Sequence, residues 1–258
     1  MDILVLLKQV PATESMVSIA PDNVSIKAEG LKYVINPYDE LAVEEALKIR
    51  EAQGGTVTIV SVGLPKAAEA IRTGLAMGAD KGVLVDVSDV AVDGLGAAKL
   101  LAAVVKTLPC DLILAGHRAV DDDNFLVGPA VAEYLGIGVI SMAIQADVAD
   151  GSVTCRCTIE GGTKEVKAAL PALVTTQRGL NEPRYASLPG IMKAKKKPLE
   201  TKTPADLGLD AAALAPLVSI RSLSLPPERK GGRIIDGETV QAKAAALVKA
   251  LHEEAKVI

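Results

Sequence analysis

Residues 56–87, TVTIVSVGLPKAAEAIRTGLAMGADKGVLVDV, decide the fold class. Thr56 to Val62 is a continuous β-branched run, the pattern of a strand buried on both faces. Lys66 to Met77 reads as a helix ending near Gly78, and Gly82 to Val87 as a second apolar strand. The same alternation extends both ways. On the N-terminal side, Ile3 to Leu7 reads as a strand and Tyr38 to Ala52 as a helix. Ala42, Val43, Ala46 and Leu47 share one face of that helix, with Glu44, Glu45 and Lys48 off it. Asn36-Pro37 is a good helix start, and Asp39 and Glu40 suit the positive end of its dipole. On the C-terminal side, Gly94 to Thr107 predicts a helix, Asp111 to Ala115 a strand, and Asn124 to Leu135 a helix closed by Gly136. Strand and helix alternating at this spacing predict an α/β fold, a parallel open sheet with helices on both faces.

The pattern changes after Gly138. Ile140 to Val148, Ser152 to Thr158 and Thr163 to Ala169 read as antiparallel edge strands, turning at Ala149-Asp150-Gly151 and Glu160-Gly161-Gly162. Ala172 to Thr176 is a further short strand. Beyond Pro189 the character shifts again: Lys193, Lys195, Lys196 and Lys197 cluster, and prolines recur at 198, 204, 216, 226 and 227. Only Glu238 to Ala255 reads as a full helix there. Such a segment cannot bury a core of its own, so it is either a loose tail or an arm that packs on something else.

Composition removes several function classes. With 258 residues, 49% of them apolar, the chain can bury one sizeable core. A net charge of -4 gives no global attraction to nucleic acid or anionic lipid. No Trp, one Phe and four Tyr leave little for stacking bases. Cys110, Cys155 and Cys157 form no CxxC pattern, and with two histidines in the chain no metal site is expected. That cysteine usage fits a reducing, cytoplasmic compartment. Met1 to Leu7 reads as a buried first strand and not as a signal peptide, and no apolar run approaches the roughly 20 residues of a membrane span.

The stretch LAGHRAVDDDNFLVGP, residues 114–129, carries the candidate site. A strand ends, a polar loop follows and a helix begins. In an open parallel sheet ligands bind at the carboxyl ends of strands, and a helix N-terminus there offers free N–H groups to a phosphate. The same aspartates also suit a plain, well-capped loop. Other nucleotide loops are missing: there is no GxxxxGK[ST], and Gly94-Leu95-Gly96 lacks the third glycine of a dinucleotide fingerprint. There is no GxSxG, and His117 has no Ser or Cys nucleophile nearby.

Residues 180–200, LNEPRYASLPGIMKAKKKPLE, resemble the signature of electron-transfer flavoprotein beta subunits. VLLKQVP at 5–11, INPYDELAVEEAL at 35–47, RTGLAMGADKG at 72–82, AGHRAVDDD at 115–123 and PADLGLD at 204–210 match as well, so the resemblance spans the chain. It implies an adenine nucleotide alpha-hydrolase-like core over 1–189 and a C-terminal arm over 190–258 that wraps an alpha subunit. It implies FAD shared with, and mainly bound by, that alpha subunit in an obligate heterodimer. The chain would be an electron carrier and not itself an enzyme. Electrons would pass from an acyl-CoA or related dehydrogenase to a quinone-linked oxidoreductase. No catalytic side chain is then needed, because the chemistry is the flavin's.

The resemblance also implies AMP in this subunit. The matching positions are Leu6, Asn36, Pro37, Tyr38, Asp39, Val62, Gly116, His117, Arg118, Ala119, Val120, Asp121, Asp122, Asp123, Asn124, Phe125, Leu126 and Val127. Where the AMP-type pattern carries polar residues, this chain has Phe125, Leu126 and Val127, leaving main-chain N–H groups and Asn124 for the phosphate. KQVPAT at 8–13 and Val127-Gly128-Pro129 resemble instead the electron-bifurcating branch, with a second FAD here and NADH as reductant. AMP is the expectation and a second FAD the alternative. Arg184, Tyr185, Leu188, Pro189, Ile191, Met192 and Lys193 match the loop that recognises the dehydrogenase, with Leu188 as its anchor. A reading from another class, a stand-alone nucleotide-binding regulatory domain, has no use for the 180–200 segment or the arm.

Overall fold

Strand β1 (Asp2–Leu6) lies in the middle of the sheet because its side chains are apolar on both faces. Ile3 and Val5 enter one core, Leu4 and Leu6 the other. This computed structural model describes residues 1–227 and 231–258 of the chain. After β1 comes a small antiparallel ribbon of β2 (Gln9–Pro11) and β3 (Tyr33–Ile35), which the sequence reading missed because three-residue strands show no period. Helix α1 (Pro37–Gln53) leads to β4 (Thr56–Gly63), α2 (Ala68–Met77), β5 (Lys81–Asp86), α3 (Gly94–Val105), β6 (Leu112–Gly116) and α4 (Val127–Leu135). Helices α1 and α2 cover the face of Ile3 and Val5; α3 and α4 cover that of Leu4 and Leu6.

The remaining strands are β7 (Gly138–Ala149), β8 (Ser152–Ile159), β9 (Gly162–Ala169) and β10 (Ala172–Thr176). A seven-residue helix α5 (Leu188–Ala194) follows, then β11 (Leu199–Lys202) and a short α6 (Ala211–Leu214). The nine-stranded order is β11-β5-β4-β1-β6-β10-β7-β8-β9. The chain steps outward from β1 through β4 to β5, then returns across β1 to β6. The topological switch point, where open α/β sheets leave a crevice, is therefore between β1 and β6.

Strand β7 is longer than expected and serves two modes. Its first half pairs parallel with β10, and beyond an irregularity around Met142 (φ 62°) it pairs antiparallel with β8. The Asp150-Gly151 turn places both residues at positive φ, the geometry of a tight hairpin. Three boundaries differ from the sequence reading. Helix α4 starts at Val127 and not Asn124, because Phe125 is left-handed (φ 55°) and Asn124 Oδ1 accepts the Leu126 N–H at 3.1 Å. The 184–193 segment is not all loop: Ser187 accepts the Gly190 N–H at 3.1 Å and Pro189 sits in the first turn, which starts α5.

Third, the chain divides after Arg221, not after Pro189. Residues 199–202 extend the sheet beside β5. The Lys197 ammonium donates to the carbonyls of Leu75 (3.0 Å), Gly78 (3.2 Å) and Ala79 (2.5 Å) at the end of α2. Arg72 Nη1 donates to the carbonyls of Ala194 and Lys197. One lysine of the cluster is thus a helix cap, while Lys193, Lys195 and Lys196 are exposed. The second unit, Ser222–Ile258, holds α7 (Val240–Lys249), followed by a wider helical turn over Ala250–Glu254. No residue of α7 is buried. Residues 228–230 of the expected arm lie outside the described residues. Among the described residues, no helix is long and apolar enough to cross a membrane.

Candidate functional site

The carboxyl ends of β1, β4 and β6 and the starts of α3 and α4 enclose a cavity of about 340 Å³. Of the residues expected at a nucleotide, Leu6, Asn36, Asp39, Val62, Gly116, His117, Arg118, Ala119, Asp122, Asn124, Leu126 and Val127 line it. Pro37, Tyr38, Val120, Asp121, Asp123 and Phe125 are outside that lining. Pro37 opens α1, and Tyr38 is buried beneath the site. Lys8, Val87, Val92, Asp93, Gly94, Ala97, Leu101 and Gly128 also line the cavity and were not singled out as site residues. Gly94 looked like part of an incomplete fingerprint. The legible signal was Asp93 just before it, which caps α3 by accepting the Gly96 N–H at 2.9 Å.

Two residues near the start of α1 hold the mouth together. Asp39 Oδ2 accepts the Lys8 N–H at 2.7 Å, and Oδ1 accepts the Gly116 N–H at 2.9 Å. One carboxyl group thereby ties the end of β1 to the end of β6. Burial pushes its pKa up to about 7, against those hydrogen bonds and the Lys8 charge. Asn36 Nδ2 donates to the Arg118 carbonyl at 2.8 Å, and Asn36 Oδ1 accepts from the Val120 N–H at 3.2 Å. The side chains of Asn36 and Asp39 therefore brace the loop.

Gly116 is where the two walls touch. A Cβ there would lie 2.3 Å from Asp39 Oδ1 and 2.8 Å from Tyr38 Cβ. Gly116→Ala must separate α1 from β6, an overpacking cost of about 2–3 kcal/mol. The expected result is a thermal midpoint several degrees lower than the parent's, read by melting.

His117 is buried and does no acid–base work here. Its Nδ1–H donates to the Thr176 carbonyl at 3.0 Å, and its ring meets Tyr38 edge-on at 4.2 Å. Burial, aided by the Arg118 charge, lowers its pKa, so it is neutral at pH 7. Arg118 spreads over the Tyr38 ring at 5.1 Å, donates to the Tyr38 hydroxyl at 2.8 Å and pairs with Asp123 at 2.9 Å. Its Nε is buried with no partner among the described residues. Asn124, expected to be free for a phosphate, is spent locally: its Nδ2 donates to Asp122 Oδ2 at 3.0 Å while its Oδ1 accepts from Leu126. The N–H groups of Val127 and Gly128 begin α4, and Pro129 has none, so the first two have no acceptor inside the helix. Both residues line the cavity, where such N–H groups are free to meet an acceptor. Val62, Val87, Val92, Leu101 and Leu126 give the rest an apolar wall.

The residues expected at the partner surface divide in two. Tyr185, Leu188, Ile191, Met192 and Lys193 are exposed, with Pro189 among them at the start of α5. Arg184 turns inward. Its Nε and Nη2 grip the Glu44 carboxylate at 2.8 and 3.0 Å, and its Nη1 reaches Glu51 at 2.5 Å. That side chain anchors the segment to α1.

Fold and site define a doubly wound α/β protein with a ligand-sized cavity at its switch point. The family model described as "Electron transfer flavoprotein domain" matches residues 24–207. The chain is 40% identical to the electron transfer flavoprotein subunit beta of Bacillus subtilis (strain 168) over 260 residues, covering all of both chains. It is 40% identical over 260 residues, again all of both chains, to the protein of that name from Bradyrhizobium diazoefficiens. Against the human one it is 36% identical over 249 residues, covering 95% of this chain and 96% of the other. The chain belongs to the electron transfer flavoprotein family, as a beta subunit.

Proposed function

We propose that this chain pairs with an alpha subunit and carries AMP in the cavity at the β1–β6 switch point. The observation that carries the AMP reading is the size and chemistry of that cavity. At about 340 Å³ it sits at the small end of the range for small-molecule sites. It offers an apolar slot for a base, and the N–H groups of Val127 and Gly128 at the start of α4 for a phosphate. AMP would do no redox chemistry there. It would fill the space between the two halves of the sheet. The redox group would be FAD held mainly by the alpha subunit, supplying one- and two-electron chemistry, while this chain supplies position and the docking surface. Electrons would come from an acyl-CoA or related dehydrogenase and leave to a quinone-linked acceptor. All three cysteines are free, which supports a reducing cytoplasm.

One observation favours a second FAD instead: the start of α3 at Gly94 also opens into the cavity and could take a second phosphate. Both readings are tested by co-expressing the chain with its alpha subunit, denaturing the purified dimer and identifying the released nucleotides by chromatography and mass. One FAD and one AMP per dimer is the expected result. Two FAD and no AMP would replace it with an electron-bifurcating subunit that uses NADH. FAD alone would remove the nucleotide from this cavity.

A further inference from the structure

We propose that Lys8 is the latch of the cavity: its ammonium, fixed at the end of β1, holds the 119–126 loop closed over the bound nucleotide, and losing it speeds release whatever the ligand's charge. The proposal rests on the nucleotide reading above. It makes Lys8 a positioning residue and not a ligand contact.

The ammonium starts from a fixed point, because the Lys8 N–H is held by buried Asp39. It reaches Asp121 Oδ1 at 2.8 Å and Asp122 Oδ2 at 3.1 Å. Apart from the adjoining Arg118 and from Asn36, whose Oδ1 accepts the Val120 N–H, Lys8 is the one side chain among the described residues that hydrogen-bonds to the 119–126 loop from outside it. Burial works against its charge, but the hydrogen bonds and charges of Asp121 and Asp122 outweigh it and raise its pKa, so the latch stays ionised through neutral pH.

Within the loop Asp123 (φ 49°) and Phe125 (φ 55°) are both left-handed; Asp adopts this readily, but for Phe125 the surroundings have to support it. The far end of the loop rests on Gly94, where an added Cβ would lie 3.2 Å from both Asn124 Nδ2 and Leu126 Cδ2. Asp122, Asn124 and Leu126 line the cavity, so lifting the loop uncovers the ligand. Lys8, Asp121 and Asp122 are all partly exposed, so the latch is weak and screened by salt. It governs a rate and not the fold.

The test uses the full chain in complex with its alpha subunit, loaded with fluorescent etheno-AMP or with ethenoadenosine, and measures release on dilution into excess unlabelled AMP. Lys8→Met should release both probes about fivefold faster, the size expected of a partly exposed ion-pair network. Lys8→Arg should restore the parent rate, and raising salt should bring the parent toward the Met variant. Faster release of etheno-AMP alone would mean that Lys8 binds the phosphate, and would overturn the latch. Equal rates for parent and variant would also overturn it. If neither probe binds at all, the nucleotide reading fails. The latch is then decided by hydrogen exchange across 119–126, which must speed up in Lys8→Met for the proposal to stand.

Discussion

A chain cut after Arg221 should fold but fail to associate with an alpha subunit, whereas a chain cut after Pro189 should not fold stably. The first unit, Met1–Arg221, contains every strand of the sheet and both cores. Its last stretch is needed there. Ala194 and Leu214 are buried, Leu199 packs against the core under α2, and β11 covers the edge of β5. Cutting at 189 strips Arg72 of two acceptors and leaves the carbonyls at the end of α2 without the Lys197 ammonium. Several kcal/mol lost in this way is a large share of the roughly 5–15 kcal/mol that holds a domain together. The second unit is the opposite case. Val240, Val248 and Ile234 are exposed and α7 buries nothing, so its apolar face has to be satisfied by another surface. Circular dichroism melts and co-purification with tagged alpha subunit separate the two effects. A stable heterodimer from the chain ending at Arg221 would show that the arm is dispensable.

The distance between the expected boundary and the real one shows what a sequence conceals. The central strands were legible because each is a run of β-branched or aliphatic residues long enough to be buried on both faces, as in Val57, Ile59 and Val60. Leu199-Glu200-Thr201-Lys202 has no such run. It becomes a strand because the edge of β5 offers it hydrogen bonds, a tertiary cause that no local pattern announces. The site divides in the same way. Strand ends and a helix start pointed to the 114–129 stretch, part of which lines the cavity between β1 and β6. The polar residues there were read as ligand contacts, yet Asn36, Asp39 and Asn124 spend their side chains on the protein's own backbone. Residue type announces that a hydrogen bond will form but not with whom, since the partners are up to 84 positions away. Lys8 was hidden for the same reason: its acidic partners come from the loop after β6.

If the proposed donor is a dehydrogenase, replacing Leu188 with alanine should slow its reduction of the flavoprotein roughly tenfold or more, with flavin content and melting temperature unchanged. The side chain is 80% exposed, next to Tyr185 at 98% and Met192 at 72%, so the protein's own fold gains almost nothing from it. Large apolar groups this bare are costly to display in water unless a partner covers them. Their backbone, by contrast, is held firmly. Ser187 caps α5, and Gly190 approaches so close to α2 that a Cβ would lie 2.5 Å from the Ala76 carbonyl oxygen. Upstream, Arg184 is bound bidentately to buried Glu44 and again to Glu51. A side chain displayed on a fixed backbone loses little entropy when it enters a pocket, which is how a single leucine can carry much of an interface. Lys193, Lys195 and Lys196 beside it add a local positive field in a chain of net charge -4. That field should make the encounter rate salt-dependent in parent and variant alike, while the loss from Leu188→Ala persists at high salt. Anaerobic stopped-flow reduction at two ionic strengths reads both terms. Equal rates for variant and parent would remove Leu188 as the anchor, and a loss that vanished in high salt would assign it to the lysines.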